Sequence, residues 1–267
     1  MSDTTVPARI ASPAGRWLLL ATVLGSSMAM LDATVVTVAL PRLGHSLDAG
    51  VTGLQWTLNA YTLALASLIL LGGSLGDRWG RRRVFVVGVV WFAVASALCG
   101  AAPDISTLVA ARALQGIGAA LLTPGSLALI SASIDERDRG AAIGAWSGLG
   151  GVAAAVGPLL GGWLVDAVSW RAVFLINIPA AAVIVWVSVR HVPESHDPDA
   201  VRSVDVTGAL LTAAGLASLT YGLISSGTVA VVLGLVLLLL FVLAERRSDH
   251  PLVPLSLFGD RVFTAAN

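Results

Sequence analysis

The sequence contains no lysine, a single cysteine and few charged residues. Its 16 Lys plus Arg residues are all arginines and are balanced by 16 acidic residues, so the formal net charge is zero. A nucleotide-binding P-loop and a Schiff-base enzyme each need a lysine, so both classes are excluded. Cys99 alone cannot form an internal disulfide or a cysteine-rich metal site. A neutral chain also lacks the basic field that binds nucleic acid, and no nucleic-acid partner is predicted.

Long apolar segments are abundant instead. Hydrophobic residues make up 56% of the 267 residues and charged residues 12%, and the mean hydropathy is +0.86. A helix needs about 20 apolar residues to cross the hydrocarbon core of a membrane, which is about 30 Å thick. Eight segments are predicted to span the lipid bilayer: 17–40, 54–75, 84–102, 108–130, 141–165, 173–189, 206–224 and 229–244. A ninth is expected to begin near Val262 and to be cut off at Asn267.

The arginines outside these spans predict the orientation. With a cytoplasmic N-terminus, the external connections carry only Arg42 and Arg171, and the other arginines outside the spans are internal. Positive residues accumulate in cytoplasmic loops, so a multi-pass protein of the cell membrane with a cytoplasmic N-terminus is predicted. The four histidines are expected in loops and receive no role.

The predicted organisation has five parts. A cytoplasmic tail covers 1–16, a six-helix transporter bundle covers 17–190, and a polar cytoplasmic loop with two prolines covers 191–205. Two linker helices follow at 206–244, and 245–267 holds a cytoplasmic loop and the start of a further, truncated helix.

Two ionisable residues interrupt the predicted spans. Asp32 lies about eight residues from the outer end of the first span and Arg112 about four from the outer end of the fourth, so at 1.5 Å per residue both lie roughly 6 to 12 Å deep. A charge at this depth is costly unless it has a partner or faces a cavity. Asp32 is therefore a candidate proton carrier and Arg112 a fixed charge that tunes its pKa. The alternative is a static ion pair that only packs helices.

Small and polar residues form stripes on two spans. Gln115 and Gly116 follow Arg112 by three and four residues and therefore share its helix face, which suits either a transport pathway or a close helix contact. In the fifth span, Pro158 predicts a bend and small residues predict a flat ridge for gating or packing. The ridge consists of Gly144, Gly148, Gly151, Ala155, Gly157 and Gly161.

The connection after the second span is a short turn that combines glycines, an aspartate and arginines. Its sequence from Gly73 to Arg83, GSLGDRWGRRR, resembles the signature loop of the major facilitator superfamily. The matches are Gly73, Leu75, Asp77, Arg78, Gly80 and Arg81, with Arg82 where lysine is frequent.

Further segments resemble the drug:proton antiporters of that superfamily. They are LDATVVTVALP at 31–41, RALQGIG at 112–118 and GPLLGG at 157–162. Ala153 departs from the last pattern, which usually begins with glycine. The segment WRAVFLINIP at 170–179 and the extra helix pair resemble the subfamily with 14 helices.

The resemblance implies an all-α membrane fold, in which two inverted three-helix repeats form a six-helix bundle that is followed by two additional transmembrane helices. It implies that Asp32, Arg112 and Gln115 couple proton and substrate transport. It implies a conformational switch loop made of Gly73, Asp77, Arg78, Gly80, Arg81 and Arg82. It also implies an antiporter helix kink at Gly157, Pro158, Gly161 and Gly162.

The implied activity is efflux of a hydrophobic, amphipathic or cationic drug or antibiotic in exchange for protons, with the proton gradient as energy source and no cofactor or metal. The superfamily's second six-helix half is absent after Asn267, so the 267 residues are expected not to transport unless a partner supplies it. The alternatives are an importer of a small polar solute, a membrane scaffold for an enzyme or assembly, and a non-transporting truncated protein. No catalytic constellation favours an enzyme.

Overall fold

The computed structural model describes residues 7–197 and 205–247. This part of the chain is almost entirely helical. Its helices are α1 Pro13–Ser46, α2 Val51–Trp79, α3 Arg81–Ala101, α4 Ile105–Ser133, α5 Glu136–Ala167, α6 Ala172–Leu175, α7 Asn177–His191, α8 Val206–Ser225 and α9 Thr228–Arg247. Because α6 and α7 together make one span, eight segments of the described chain are long and apolar enough to cross a membrane, as predicted. The expected ninth segment near Val262 lies outside the described residues.

Each span is longer than the apolar segment that predicts it, and side-chain caps fix the starts of some of them. The hydroxyl of Ser12 accepts a hydrogen bond from the Gly15 N–H at 3.1 Å and so caps the start of α1. The Asp104 carboxylate accepts a hydrogen bond from the Thr107 N–H at 2.8 Å at the start of α4. This bond holds the pKa of the exposed Asp104 carboxyl below its usual range.

The sixth span, predicted as one segment, is divided at Ile176 into α6 and α7. Pro179 supplies the physical reason. A proline has no N–H, so the carbonyl of Leu175, four residues earlier, cannot receive its helical hydrogen bond. The interruption places Asn177 at the first turn of α7, where it is buried.

The first compact unit, Met1–Ala200, contains α1 to α7. Within it α1 packs mainly against α5, and α2 packs mainly against α4. In a repeat of three spans, the first span corresponds to the fourth and the second to the fifth. The pair of α1 and α5 therefore corresponds to the pair of α4 and α2. Short connections make successive spans antiparallel, so the second set of three begins in the opposite direction to the first. The packing therefore has the pattern of two inverted three-helix repeats, as the sequence predicts.

Glycines allow the closest of these approaches. A side chain at Gly72 would overlap the carbonyl of Ala120, and one at Gly116 would overlap the carbonyl of Tyr61. Without a side chain at either position, the backbones of α2 and α4 can come into contact. Small residues serve this purpose where lipid, rather than water, surrounds the helices.

One end of this bundle is called the arginine-rich end below. Here α1 begins, α2 joins α3, α4 joins α5 and α7 ends. The segment before α1 is attached to it, because the backbone of Ala8 forms hydrogen bonds with Ser133 at 2.8 Å and Asp135 at 3.1 Å. Arg9 adds an ion pair with Asp138 at 2.7 Å.

The second compact unit, Val201–Asn267, is described over 205–247 and forms a hairpin of α8 and α9. Ser226, with φ of +54°, ends α8 in a left-handed conformation, and Gly227 follows it. Gly215 and Gly234 lie against Leu238 and Leu219 of the opposite helix, which again permits close packing.

Candidate functional site

Five buried polar side chains from four different spans meet inside the bundle. They are Asp32 of α1, Ser96 of α3, Arg112 and Gln115 of α4, and Asn177 of α7, and each is at most 2% exposed. This polar cluster separates two apolar clusters along every span that contributes to it. On α1 the buried apolar residues Ala29 and Val35 belong to different clusters on either side of Asp32.

Asp32 is the centre of the polar cluster. Its Oδ2 accepts a hydrogen bond from Arg112 Nη1 at 2.5 Å. Its Oδ1 accepts hydrogen bonds from Gln115 Nε2 at 2.8 Å and from Asn177 Nδ2 at 3.0 Å. Both oxygens are therefore occupied by donors, and one donor carries a positive charge. These donors compensate the loss of water around the buried carboxylate.

Arg112 is held by backbone and aromatic groups as well as by the carboxylate. Its Nε donates to the Thr57 carbonyl of α2 at 3.1 Å, and its Nη1 also donates to Gln115 Oε1 at 2.6 Å. The guanidinium carbon lies 4.3 Å from the centroid of the Tyr61 ring, within cation–π range. The arginine is thereby fixed in position between α1 and α2.

Ser96 links the side-chain amides of Gln115 and Asn177. Its hydroxyl oxygen accepts hydrogen bonds from Gln115 Nε2 at 2.8 Å and from Asn177 Nδ2 at 3.3 Å, and the hydroxyl donates to the Phe92 carbonyl at 2.8 Å. The predicted group of Asp32, Arg112 and Gln115 is thus brought together in direct contact. Its members are sealed from solvent in this conformation, so protons can reach Asp32 only if helices move.

Ser96 and Asn177 belong to this site but are absent from the sequence prediction. Neutral polar side chains cost less in a membrane than charges and do not stand out within an apolar segment. Asn177 carries a signal that could identify it, because it lies two residues before Pro179, and a proline inside a span can interrupt the helix.

A crevice of about 320 Å³ lies between α1 and α7 beside the polar cluster. Asn177 and Ser27 are its polar lining residues. Its other walls are the apolar residues Leu24, Met28, Leu31, Ile176, Ala180, Val183 and Ile184. It therefore offers an apolar space next to a residue that contacts Asp32. In the described part of the chain, no three His, Cys, Asp or Glu side chains are placed to hold a metal ion.

The predicted switch loop is mostly helical in the structure. Gly73, Asp77 and Arg78 lie near the end of α2, Arg81 and Arg82 lie at the start of α3, and Gly80 is the single residue between the two helices. Asp77 Oδ1 accepts a hydrogen bond from Arg81 Nε at 2.7 Å across this junction. Gly80 joins the helices with φ of +109°, a conformation that residues with side chains rarely adopt. Gly73 packs on α4 near Pro124, and Arg78 is exposed. A tight turn of this kind fixes the positions of the arginines that follow it.

The segment after α7, residues 192–197, packs on this turn, which was not predicted. Glu194 Oε1 accepts a hydrogen bond from the Arg82 N–H at 3.0 Å. Its Oε2 lies 3.7 Å from Arg82 Nε and 3.6 Å from Arg83 Nε. Arg82 Nη1 donates to the Val192 carbonyl at 2.9 Å, and the Asp197 N–H donates to the Asp77 carbonyl at 2.9 Å. These contacts connect the last span of the bundle to the switch loop.

The predicted ridge on α5 is only partly a packing surface. Side chains at Gly157 and Gly161 would overlap or crowd Thr34 and Val35, so these two glycines bring α5 against α1. Within the described residues, no neighbour lies within 4 Å of a Cβ built at Gly162 or at the three earlier glycines, Gly144, Gly148 and Gly151. Within the described residues, the ridge therefore meets a neighbour only at Gly157 and Gly161, and the other four positions face away from α1. Pro158 is exposed inside α5, which continues as one helix.

Comparison with protein families identifies the bundle. Residues 22–245 match the family model of the Major Facilitator Superfamily. Among solved structures, a peptide transporter POT is similar with a TM-score of 0.67 at 16% identity, covering 92% of this chain and 55% of that one. A bacterial homologue of the human lysosomal transporter Spinster has a TM-score of 0.59 at 22% identity, covering 80% and 55%. These structural likenesses show the fold.

Curated relatives carry names of resistance proteins. Multidrug resistance protein Stp of Mycobacterium tuberculosis is 39% identical over 258 residues, which is 93% of this chain and 48% of the relative. A puromycin resistance protein of Streptomyces alboniger is 39% identical over 257 residues, with coverage of 92% and 51%. A methylenomycin A resistance protein of Bacillus subtilis is 37% identical over 265 residues, with coverage of 96% and 56%.

This chain spans about half the length of the curated relatives it matches. The family match covers most of the chain, the fold agrees with transporters of the same architecture, and the spans, signature turn and repeats are those that the sequence predicted. The chain is a multi-pass membrane protein and belongs to the major facilitator superfamily, a family of transporters rather than enzymes.

Proposed function

We propose that this chain is part of a proton-coupled exporter of hydrophobic or amphipathic compounds, including antibiotics, of the type with 14 helices. The observation that supports it best is the buried Asp32, which bonds to Arg112, Gln115 and Asn177 between two apolar clusters. Buried ionisable groups within membrane helices are costly to retain without a role. The names of the curated relatives are consistent with drug export.

Proton coupling follows from the dependence of Asp32 on its donors. In the conformation described here, Arg112 and two amides donate hydrogen bonds to the carboxylate. A relative movement of α1 and α4 that separates Asp32 from Arg112 leaves the carboxylate in an apolar setting, where the protonated form is favoured. Return to the paired conformation then releases the proton. Gln115 and Asn177 act as positioning residues, because each amide contacts Asp32.

The substrate site is proposed beside the polar cluster. The crevice between α1 and α7 has apolar walls and ends at Asn177, so it suits a hydrophobic body with one polar or cationic group. The complete central cavity is proposed to need the second half of the transporter, because alternating access moves two halves around a site at their interface. On this proposal, the second half also provides the contacts of the exposed Arg78 and of the α5 face that carries Gly144, Gly148 and Gly162.

The orientation is part of the proposal. The arginine-rich end would lie in the cytoplasm of a cell whose plasma membrane holds the protein, in agreement with the distribution of arginines. The proton gradient would supply the energy, without a cofactor.

Efflux from cells tests the proposal. Cells that make the complete transporter should export a fluorescent amphipathic dye while a proton gradient is present, and an uncoupler should abolish export. Asp32→Asn should reduce export to the level of cells without the protein. Asp166→Asn changes an exposed aspartate near Arg42 and should leave export unchanged.

Three results would contradict the proposal. Full export by Asp32→Asn would remove this carboxylate from the coupling step. Export that continues after the uncoupler would exclude proton antiport. Uptake of a polar solute in place of dye export would favour an importer. The 267-residue chain expressed alone should not export, and export by it would show that a second half is unnecessary.

A further inference from the structure

An apolar groove and a cationic pocket meet on the outside of the bundle, away from the polar cluster. The groove lies between α3 and α7 and has a volume of about 600 Å³. The pocket lies at the arginine-rich end and has a volume of about 470 Å³. Val189 and Arg190 line both of them, so the two spaces are adjacent. An apolar channel with a charged space at one end is complementary to an amphipathic ligand, which has an apolar part and a charged part.

The groove has the length and chemistry of an acyl chain site. On α7 its lining extends from Ile178 to Arg190, a distance of about 18 Å at 1.5 Å per residue. Half of the hydrocarbon thickness is about 15 Å, so the groove crosses one leaflet. Val90 and Val94 of α3 form the opposite wall and are themselves exposed.

The pocket carries positive charge and an unsatisfied nitrogen. Arg190 is exposed, with no ion pair among the described residues. Arg82 also lines the pocket and shares the carboxylate of Glu194. His191 Nδ1 is buried and has no hydrogen-bond partner in the described chain. Contrary to expectation, His191 is the last residue of α7 rather than part of a loop, and His45 lies in the last turn of α1.

Two tryptophans place the pocket at the level of lipid headgroups. The Trp17 ring stacks on His191 with 4.4 Å between centroids, and it meets Trp186 edge-on at 6.4 Å. Tryptophan concentrates at the boundary between hydrocarbon and water, where its ring is apolar and its N–H is polar. A ligand in the pocket would therefore have its polar group at the membrane surface and its apolar part in the groove.

We propose that this composite surface is a binding site for one anionic phospholipid. The acyl chain lies in the groove between α3 and α7, and the phosphate accepts hydrogen bonds from the exposed guanidinium of Arg190. Basic pockets between transmembrane helices bind anionic headgroups. A zwitterionic lipid is a poorer ligand, because its ammonium group would enter the same cationic pocket. The proposal does not depend on the direction or substrate of transport.

Native mass spectrometry of the purified chain with lipids of identical acyl chains tests the headgroup. Phosphatidylglycerol should bind with a dissociation constant about tenfold lower than phosphatidylcholine, which corresponds to about 1.4 kcal/mol. Arg190→Gln should remove this preference, and Arg190→Lys should retain most of it. Arg137→Gln removes an exposed arginine at the same end of the bundle but outside the pocket, and should have no effect. Equal binding of both lipids, or equal effects of the two Gln variants, would overturn the proposal.

Two further measurements test the groove. Ala182→Trp fills it at an exposed position and should weaken binding of long-chain phosphatidylglycerol. Glycerol phosphate at the same concentration should not displace the lipid; if it does, the site is a phosphate site without a lipid chain. Unchanged lipid binding by Ala182→Trp would show that the acyl chain does not lie in the groove, and would also overturn the proposal.

Discussion

The interior of the bundle and its arginine-rich end each contain an ion pair between an aspartate and an arginine. The interior pair is buried, and the pair at the arginine-rich end is partly exposed. Asp32 and Arg112 are 2.5 Å apart, and their side chains are 0% and 1% exposed. Asp77 and Arg81 are 2.7 Å apart, and their side chains are 38% and 18% exposed. Similar distances therefore accompany very different access to water.

Access to water decides what each pair can do. A half-exposed pair can exchange its partner for water at little cost, which suits a loop that changes conformation. A sealed pair has no such substitute, so loss of one partner leaves a buried charge. The buried pair is therefore expected to contribute more to stability than the partly exposed pair. The predictions below test this contrast in order of decreasing effect.

Arg112→Ala should have the largest effect on stability. It leaves the Asp32 carboxylate buried without its cation, and the expected loss is about 3 to 5 kcal/mol in the free energy of unfolding. Denaturant unfolding in detergent, followed by circular dichroism, measures it. Because Asp32→Asn removes the uncompensated charge, the double variant should lose less than the sum of the two single variants. Additive losses would show that the two side chains do not form a coupled pair.

Gly116→Ala should weaken the same site through the backbone. A Cβ at this position would overlap the Tyr61 carbonyl and lie 2.8 Å from Ala64 Cβ, so α2 and α4 must move apart. The expected loss is about 1 to 3 kcal/mol in the free energy of unfolding, as for other overpacked positions. Gly148→Ala is the matched control, because no described atom lies within 4 Å of its built Cβ. Alanine forms helices better than glycine, so an equal loss in both variants would show that the contact with Tyr61 does not set the cost.

Glu194→Gln should loosen the arginine-rich end. The carboxylate accepts a hydrogen bond from the Arg82 N–H and lies near two guanidinium groups, so loss of its charge should cost about 1 kcal/mol locally. Hydrogen exchange should become about fivefold faster at residues 80–83. Glu136→Gln, at an exposed position in the first turn of α5, should not change exchange there. Unchanged exchange in Glu194→Gln would mean that the segment after α7 does not hold the turn.

Arg42→Gln should have the smallest effect. The pair of Arg42 and Asp166 is 3.4 Å long, and its side chains are 67% and 74% exposed. Exposed pairs of this kind contribute about 0 to 1 kcal/mol, so unfolding of the variant should differ from wild type by less than about 0.5 kcal/mol. A loss comparable with that of Arg112→Ala would remove the distinction between buried and exposed pairs.

The sequence located Asp32, Arg112 and Gln115 of the site but not Ser96 and Asn177. Asp32 and Arg112 stand out because charges are rare within apolar segments, and their similar depth anticipates their contact. Ser96 and Asn177 have no such signal, because hydroxyl and amide groups are tolerated in many membrane helices. The kink and coupling roles assigned to Gly157, Pro158 and Gln115 stay predictions.

The glycines of α5 are a second case in which the sequence predicted only part of the packing. The spacing of glycines along α5 predicted one ridge, yet only Gly157 and Gly161 of that ridge crowd α1. Small residues at helical spacing show that a close approach is possible. They do not show which face of the helix meets a neighbour, since that depends on the rotation of the helix about its axis.

The sequence by itself determined that lipid surrounds this chain, that eight helices of the described part are long enough to span it, and where charges interrupt them. Those properties follow from local hydropathy and from the fixed rise of a helix against the thickness of a membrane. Only the tertiary structure decided that Asp32 belongs to a polar cluster from four spans that is sealed from water. It also decided that residues 192–197 pack on the α2–α3 turn. Such contacts join distant parts of the chain, and they depend on the rotation and depth at which packed helices settle, which no single segment encodes.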